Sequence, residues 1–476
     1  YCVSVDDVEK KLFAVNPHKA PGPDGIPNWV FSDFAGYLAP PLACIFNSSF
    51  RQGYIPSIWK CADVVPLPKV TPPQQLEKHL RPISLTPVIS KVQESFVYTW
   101  IWDILKPLLD RYQYGAIKGT CTTHALIMML HDWLHGTDDC RKKNFVHVVL
   151  LDYSKAFDHI DGNILIRKLE SMDIPDPVLR WIESFLTGRN QRVKIGSTLS
   201  NWTEIWGTVP QGTLLGVLLF IAMINDLETS CPTVKYVDDT TIYHVSNDVQ
   251  DQTLQSAVSV ATKWSQKNNM KINASKTKEM LITFSKTPPT VPLIEVNGIA
   301  LERVSTCTLL GIELNDKLHW GNHVDKIHKK ACQRLHFITQ LKRTKISPEE
   351  LVKVYVSLVR PLLEYSAQLW HAGLTLTQSD MLETIQERAL AVSFPALSYQ
   401  EALQQSGLPT LSMRRDELCK RLFDSCKEPC NKLHPLLPER REIKHNQRSA
   451  YPYHLPLVKT NRFKDSFINY CLFNKW

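Results

Sequence analysis

Two adjacent carboxylates, those of Asp238 and Asp239, lie between short runs of strand-forming residues in the stretch VKYVDDTTIYHV. The flanking β-branched and aromatic residues predict a β-hairpin with the two carboxylates at its tip. Because neighbouring carboxylates repel each other, such a pair needs a cation beside it. Mg²⁺ fits, since it binds one or two carboxylates and completes its octahedron with water and substrate phosphates. The pair therefore predicts a divalent-metal site, with a solvated acidic turn as the alternative.

A third carboxylate, that of Asp152, follows the largely apolar run VHVVLL upstream of this hairpin. Such a run, bounded by polar residues, predicts a buried central strand. We expect Asp152, at the exit of that strand, to meet Asp238 across a sheet and to share two metal ions with it. Metal pairs of this kind stabilise the attacking and the leaving oxygen in phosphoryl transfer. The alternative role for Asp152 is that of a helix N-cap.

Further motifs follow each other in the order and spacing of the palm motifs of reverse transcriptases. They are LLDYSKAFD, GTVPQGTLLGVLLFIAMINDL, YVDDTTIY and WSQKNNMKINASKTKEML. The chain resembles the polymerase part of a non-LTR retrotransposon, in particular of the Jockey-like long interspersed elements. Segments in or ahead of the fingers of that group are similar to APGPDGIP, VVPLPK, LRPISLTPVISKVQE and YQYGAIKGTCTTHAL. Its primer grip and thumb are similar to LLGIELNDKLHWGNHV and LVKVYVSLVRPLLEYSAQLW, so that the resemblance covers nearly all of the chain.

The resemblance implies an α+β fold, the right-hand polymerase with fingers, a palm made of an antiparallel sheet plus helices, and a helical thumb. It divides the chain into 1–60 as an extension ahead of the fingers, 61–316 as fingers and palm, 317–400 as helical thumb and 401–476 as a basic C-terminal region. The spacing of apolar residues is helical in three stretches. Their apolar positions are Leu254, Val258, Ala261 and Trp264, then Val324, Ile327, Ala331, Leu335 and Ile338, then Leu351, Val354, Leu358, Leu362 and Tyr365. Pro361 should kink or divide the last of these helices.

The function that the resemblance implies is that of an RNA-directed DNA polymerase, or reverse transcriptase, which extends a DNA primer on an RNA template. Its substrates would be deoxynucleoside triphosphates, and its chemistry two-metal nucleotidyl transfer with two Mg²⁺ ions, for which Mn²⁺ can substitute. The metal ligands would be Asp152 and Asp238, with Asp239 close by and less directly bound. Lys276 is the candidate acid for the pyrophosphate leaving group, with a solvent-facing lysine as the alternative.

The resemblance also implies a set of nucleotide-binding residues around these groups. The set consists of Lys69, Arg81, Tyr153, Phe157, Gln211 and Gly212. Lys69 and Arg81 would contact the triphosphate, with solvated surface charges as the alternative, and Gly212 would permit close approach of the backbone. The ring of Phe157 would lie beneath the incoming sugar and exclude a 2′-hydroxyl, which favours deoxynucleotides. The alternative for Phe157 is an ordinary core aromatic.

The composition suits a protein that acts on nucleic acid. A net charge of +8 and a pI near 8.8 over 476 residues favour a partner that carries phosphates. Since no window approaches eighteen apolar residues, we expect no membrane span. Twelve cysteines without framework spacing and the lack of a visible signal peptide predict an intracellular protein, nuclear during integration, whose oligomeric state stays open. Because the chain begins at Tyr1, we expect a fragment or a degenerate copy of a longer reading frame.

Two basic stretches outside the site are candidates for nucleic-acid contact. The first lies on or beside a predicted helix and comprises Lys326, Lys329, Lys330, Arg334, Lys342, Arg343 and Lys345. The second, residues 440–476, mixes basic residues with aromatics, which suits single-stranded nucleic acid or, alternatively, a tail packed on the thumb. Thr213, Val217 and Thr308 depart from the family pattern. They keep open an alternative function, that of a catalytically impaired or domesticated nucleic-acid-binding remnant of such an element.

Overall fold

The computed structural model of the chain describes residues 1–70, 72–75, 79–139, 141–205, 209, 212–441, 451–474 and 476. Within these ranges the chain combines many helices with two five-stranded sheets and two small two-stranded ones. The α+β class predicted from the sequence is therefore confirmed.

The central sheet is built around the strand that the apolar run predicted. This strand, β3, lies between two antiparallel neighbours, β8 and β9, in the order β12-β9-β3-β8-β7. The strands are β3 (Phe145–Leu151), β7 (Thr233–Tyr236), β8 (Asp239–Ser246), β9 (Lys278–Thr283) and β12 (Glu302–Arg303). Because β3 and β8 are antiparallel, with Leu151 opposite Thr240, the end of β3 meets the beginning of β8.

Both faces of this sheet are covered, as the near-continuous apolar character of β3 requires. Val149 and Leu151 face a core shared with the helices Leu214–Ile224 and Thr253–Lys267. Val146 and Val148, on the other face, contact a core that includes the helix Thr122–Gly136 and the C-terminal helices. The helix predicted from Leu254, Val258 and Ala261 is confirmed, and these three side chains are buried.

A second sheet lies in the N-terminal lobe, with a β1–β2 hairpin whose first strand is parallel to β4. Its strands are β1 (Cys61–Pro68), β2 (Leu80–Leu85), β4 (Arg189–Ile195), β5 (Thr198–Leu199) and β6 (Thr203–Ile205). The α-helices of this lobe are Val5–Phe13, Asn28–Asp33, Ala35–Gln52, Val88–Leu105, Gly162–Ser171 and Asp176–Leu186. Short strands complete the described part of the fold before residue 320: β10 (Glu295–Val296), β11 (Ile299–Ala300), β13 (Thr306–Leu309) and β14 (Ile312–Asn315).

The C-terminal part is helical. Its α-helices are Gly321–Arg343, Pro348–Val354, Arg360–Glu364, Ala367–Trp370, Leu376–Ser393, Tyr399–Ser406, Leu411–Cys426, Asn461–Lys464 and Phe467–Phe473. Helices on both sides of residue 400 share one core, in which Leu382 and Phe423 are fully buried together with Leu472 at 3% exposure. The residues from 401 onward that the structure describes are therefore packed as part of the same helical body.

The two predicted helical faces in this part have different outcomes. The face of Val324, Ile327 and Ile338 is confirmed, because all are buried along Gly321–Arg343. The next predicted face is confirmed in part: Leu351 is buried, Val354, Leu358 and Leu362 are partly buried against the same core, and the face fails at Tyr365. A π-helical turn at Tyr355–Val359, just before Pro361, adds a residue to one turn and shifts the phase. The residues buried after this shift are Tyr355, Val359 and Leu363, while Tyr365 is exposed.

No helix within the described ranges combines the length and the apolar character that a membrane crossing requires.

Candidate functional site

The β7–β8 hairpin carries the paired carboxylates, as predicted, with one correction. Tyr236 pairs with Asp239, so Val237 and Asp238 form the turn and Asp239 is the first residue of β8. Val237 has a φ of 59°, a conformation that is rare for a β-branched residue. Such backbone strain persists where the surroundings impose it, and it concentrates at functional sites. Here it lies in the turn that carries Asp238, directly before the two carboxylates.

Asp152 follows β3 and lies next to this hairpin. Its N–H donates to Thr277 Oγ1 at 3.2 Å, and its carbonyl accepts from the N–H of Asn273 at 2.8 Å. The segment around Asn273 thus fixes the backbone that presents the Asp152 carboxylate. Within that carboxylate, Oδ2 is buried and has no hydrogen-bond partner. A buried acceptor without a partner is costly, which marks it as a position that a ligand completes.

The three carboxylates interact. Burial raises the pKa of Asp152, and the charge of Asp238 adds to the rise. Burial also raises the pKa of Asp238. For Asp239, burial of the carboxyl group and then the charges of Asp238 and Asp152 raise the pKa to about 6, although the residue as a whole is exposed to solvent. The fold has therefore gathered three carboxylates whose ionisation it does not fully compensate.

The three predicted cations lie around this group. Lys276 and Lys69 both lower the pKa of Asp152, and Arg81 lowers that of Asp238. Arg81 stands opposite Leu67 in the β1–β2 hairpin, and Lys69 follows β1 directly, so one end of that hairpin supplies both charges. All three side chains are exposed. The structure thus brings these residues toward the carboxylates from the β1–β2 hairpin and from the 273–277 segment.

The donor set fits a divalent cation. Charged carboxylates with a buried, unpaired oxygen favour a hard ion such as Mg²⁺. Among the residues that the structure describes, no group of three or more His, Cys, Asp or Glu side chains is arranged so that it could by itself hold a metal ion. An open arrangement suits Mg²⁺, because this ion keeps water and substrate phosphates as ligands in addition to one or two protein carboxylates.

The predicted nucleotide-binding residues have mixed placements. Phe157, on the 3₁₀ turn Ala156–His159, is partly buried and stacks on Phe220 with ring centroids 4.8 Å apart. The side chain of Tyr153 is buried at 6% exposure, so contact with a nucleotide would fall to its backbone. Gly212 has a φ of 102°, which strains any side chain there. The predicted Gln211 lies outside the described residues.

Residues that support the hairpin were missed in the sequence. The side-chain carbonyl of Gln113 accepts hydrogen bonds from the N–H groups of Val237 at 3.1 Å and Gly115 at 2.9 Å. A Cβ on Gly115 would lie 2.3 Å from the nitrogen of Val237, so only glycine fits. Lys235, fully buried in β7, pairs with Asp110 at 2.7 Å. The sequence signal for this support was Lys235 itself, a charged residue within a predicted strand that lies just before the two acidic residues.

Three basic residues of the predicted thumb surface have partners within the protein. Lys326 pairs with Glu313 at 2.7 Å, Arg334 donates to the carbonyl of Leu358 at 2.5 Å, and Lys342 donates to the carbonyl of Val392. The remaining members of the stretch are exposed: Lys329, Lys330, Arg343 and Lys345. Arg334 and Lys342 thus donate to carbonyls within the helical part, and Lys326 pairs with Glu313 on β14. Contact of this stretch with nucleic acid stays a prediction, carried by its exposed members.

The C-terminal aromatics are used for packing in the described residues 451–474. Tyr453, Phe463 and Phe467 are buried. The carboxylate of Asp138, just after the helix Thr122–Gly136, accepts from the N–H and hydroxyl groups of Thr460 at 2.9 and 2.7 Å. Of the two alternatives for this stretch, packing on the helical body is confirmed here, and these rings do not form a stacking surface.

Carboxylates at the end of a largely antiparallel sheet, faced by cations from a neighbouring hairpin, are the arrangement expected of a nucleotidyl-transfer protein. Within that class, the family model described as reverse transcriptase (RNA-dependent DNA polymerase) matches residues 67–314, more than half of the chain. The chain belongs to the reverse transcriptase family. A second model, for the N-terminal part of alkylated DNA repair protein alkB homolog 8, matches residues 320–359. That match is too short to define the chain.

Relatives come from mobile elements. The probable RNA-directed DNA polymerase from transposon BS of Drosophila melanogaster is 26% identical over 82% of this chain and 44% of its own length. The RNA-directed DNA polymerase from mobile element jockey is 26% identical in Drosophila melanogaster, over 77% of this chain and 41% of its own. Its Drosophila funebris counterpart is 25% identical over 94% of this chain and 50% of its own length. The resemblance to Jockey-like polymerases is confirmed, and the chain spans about half the length of these relatives.

Proposed function

We propose that this chain is an RNA-directed DNA polymerase that extends a DNA primer on an RNA template with deoxynucleoside triphosphates, as the polymerase part of a non-LTR retrotransposon protein. The observation that carries the proposal is the group of three carboxylates with raised pKa values, those of Asp152, Asp238 and Asp239, faced by cations from the β1–β2 hairpin. Membership of the reverse transcriptase family supports the reaction, and the jockey and BS relatives support the element type.

In this proposal the β1–β2 sheet corresponds to the fingers, the central sheet to the palm and the helices after residue 316 to the thumb. Residues 61–316 form the polymerase module, 1–60 an extension ahead of the fingers and 317–400 the thumb. Residues 401–476 then belong with the thumb structurally, because their described helices share its core. This division predicts that the C-terminal region stabilises the thumb rather than acting as a free basic tail.

Asp152 and Asp238 would hold two Mg²⁺ ions, for which Mn²⁺ can substitute, and Asp239 would tune their binding through its charge. When bound, the ions supply activation of the primer 3′-hydroxyl and neutralisation of charge on the transferring phosphoryl group. The chain itself contributes geometry, because the strained Val237 and the Asn273 contact to Asp152 fix where the carboxylates point. Such positioning accounts for much of the catalysis in phosphoryl transfer.

Cations of the chain would act on the triphosphate. Arg81 can bind phosphate oxygens in a bidentate manner and Lys69 as a point charge. Lys276, close enough to affect the charge of Asp152, would donate a proton to the leaving pyrophosphate or neutralise it. Gly212, with its positive φ, would let the backbone approach the nucleotide closely. The ring of Phe157, backed by Phe220, would exclude a 2′-hydroxyl.

The test is primer extension by the purified chain on poly(rA) primed with oligo(dT), with dTTP and Mg²⁺. We expect incorporation that stops on chelation by EDTA and returns with Mg²⁺ or Mn²⁺. A chain that binds the primed template yet incorporates nothing would reject the polymerase function. That outcome would favour the alternative, an impaired nucleic-acid-binding remnant.

A further inference from the structure

The hairpin that carries Asp238 is held from behind by residues 110–115. The N–H of Tyr114 donates to the carbonyl of Lys235 at 2.8 Å, and the N–H of Lys235 donates to that of Tyr112 at 2.9 Å. Gln113 accepts from the turn nitrogen of Val237, as described above. The turn therefore holds its unusual φ against a loop, and that loop must itself be rigid for the carboxylates to keep their position.

This loop has an unexpected partner from the far end of the chain. The ammonium of Lys432 donates hydrogen bonds to the carbonyls of Arg111 at 3.1 Å and Asp110 at 3.5 Å, and to the carbonyl of Gln113. It also lies 5.1 Å from the centroid of the Tyr114 ring, within cation–π distance. One ammonium thus binds three carbonyls of the loop that supports the hairpin.

Lys432 is itself firmly anchored. Its neighbour Leu433 is fully buried in the C-terminal core, and the N–H of Leu433 donates to the side chain of Asn431 at 2.8 Å. Lys432 is partly buried, and this burial lowers the pKa of its ammonium to about 8. Three carbonyls and a ring replace the lost hydration, so the cation has little freedom to lie elsewhere.

We propose that Lys432 is a positioning residue for the polymerase site, which braces the 110–115 loop and through Gln113 fixes the catalytic hairpin turn. The inference rests on the proposed function for its kinetic consequence. It goes beyond that function by giving the C-terminal region a role in catalysis without any contact to nucleic acid. A lysine with a merely local role would stabilise its own loop and leave the hairpin unchanged.

The first experiment needs neither metal nor substrate. Amide hydrogen exchange is measured on the whole chain, in the peptide that spans residues 234–240, for wild type, Lys432→Met and Lys420→Met. Lys420 is an exposed lysine of the helix Leu411–Cys426 and loses the same charge. We expect exchange of the hairpin peptide to be about tenfold faster in Lys432→Met, the effect of losing charge-assisted hydrogen bonds behind it. Lys420→Met should match wild type.

Lys432→Arg and Lys432→Gln complete the design. Arginine keeps the charge and several donors, so its hairpin exchange should return toward the wild-type rate. Glutamine keeps two N–H donors, so we expect a smaller increase of hairpin exchange in Lys432→Gln than in Lys432→Met. The glutamine variant replaces the methionine variant in the test if the latter does not fold. Faster exchange of the 110–115 peptide with unchanged exchange at 234–240, in either variant, would overturn the proposal.

The kinetic experiment uses the same variants in primer extension. Because a misplaced carboxylate slows the chemical step, kcat in Lys432→Met should fall about ten- to a hundredfold, while KM for the primed template stays near the wild-type value. A raised KM with unchanged kcat would instead identify Lys432 as a template contact and overturn the proposal. A wild-type chain that incorporates nothing would count against the proposed function alone, since the exchange experiment is independent of activity.

Discussion

The palm hairpin and the helical C-terminal part both concentrate charge, and they use it in opposite ways. At the hairpin, partial burial and mutual repulsion raise the pKa values of Asp152 and Asp239, which lie beside Asp238. In the C-terminal part, Arg334 and Lys342 are satisfied by backbone carbonyls of the same helical body. A charge that the fold leaves without compensation predicts an external partner, whereas a charge with internal acceptors predicts a structural role.

This difference corrects a common reading of basic helices. Seven basic residues in one stretch suggest a nucleic-acid surface, yet the structure leaves only part of the stretch exposed. Lys329 and Lys330 face solvent, and Lys326 pairs with Glu313. Local sequence cannot separate these cases, because a lysine at a helix surface and one that reaches a distant carbonyl have the same neighbours along the chain.

We expect the largest effect from substitutions that remove one carboxylate charge near the hairpin. Asp152→Asn or Asp238→Asn should lower primer extension by about a thousandfold or more, since several kcal/mol of transition-state stabilisation depend on the metal ligands. Folding should be retained, because each change relieves repulsion instead of removing a core contact. The measurement is steady-state dTTP incorporation together with thermal unfolding of each variant.

The matched control for these variants is Asp103→Asn, which neutralises an exposed carboxylate on the helix Val88–Leu105. It should extend primers at the wild-type rate. Primer extension at the wild-type rate by either Asp152→Asn or Asp238→Asn would refute the metal assignment. The hairpin charges would then not differ in role from the charges of the C-terminal helices.

The second prediction asks whether Phe157 belongs to the site or to the core. If its ring excludes the 2′-hydroxyl, Phe157→Val should admit ribonucleotides while dNTP incorporation continues at a reduced rate, because selectivity is a difference between two transition-state energies. Each tenfold loss of selectivity corresponds to about 1.4 kcal/mol. The measurement is the ratio of dTTP to UTP extension efficiencies on one primed RNA template.

The stacking of Phe157 on Phe220 gives the competing outcome a physical basis. If the ring acts only in packing, the same substitution leaves a cavity and destabilises the fold by about 2–4 kcal/mol. Both substrates would then be used more slowly, and the ratio would not change. Such a result would remove Phe157 from the nucleotide-binding set.

The third prediction compares two basic residues of one helix. Arg334→Met leaves the carbonyl of Leu358 without its donor and should lower the free energy of unfolding by about 1–3 kcal/mol, with little effect on binding to primed template. Lys330→Met should change stability by less than about 0.5 kcal/mol, yet reduce the salt dependence of binding by about one phosphate contact. Urea unfolding and binding at several salt concentrations check both. Equal effects of the two variants on binding would show that the inward and outward charges are not distinct.

What the sequence could predict follows from the range of each signal. The hairpin, the strand β3 and the helix Gly321–Arg343 are predicted by patterns of residues that are close in sequence, and all three are confirmed. The π-helical turn at Tyr355–Val359 leaves no such signal, because it depends on packing that closes one wider turn. Gln113 was missed because its partner Val237 is 124 residues away, and its contact with Lys432 spans 319. Such pairings are set by topology alone.

We expect the smallest effect from a test of the repulsion among the three carboxylates, which is measured through the stability of the metal-free chain. Burial and the two neighbouring charges raise the pKa of Asp239 from 3.8 to about 6, so the folded state prefers the neutral carboxyl. The stabilisation from this preference is complete below the unfolded pKa near 4 and is lost as the pH rises through 6. Asp239→Asn cannot ionise, and its Tm should therefore exceed that of wild type above pH 6 and converge with it below pH 4. Because the side chain is partly open to solvent, we expect a difference in Tm of only about 1–2 °C.

Mg²⁺ should raise the Tm of wild type more than that of the variant, since the ion supplies the positive charge that the fold itself does not provide. Thermal unfolding from pH 4 to 8, with and without Mg²⁺ and with Asp103→Asn as control, measures this. A variant less stable than wild type at pH 7.5 without metal would show that the hairpin carboxylates are structural, as the charges of the C-terminal helices are.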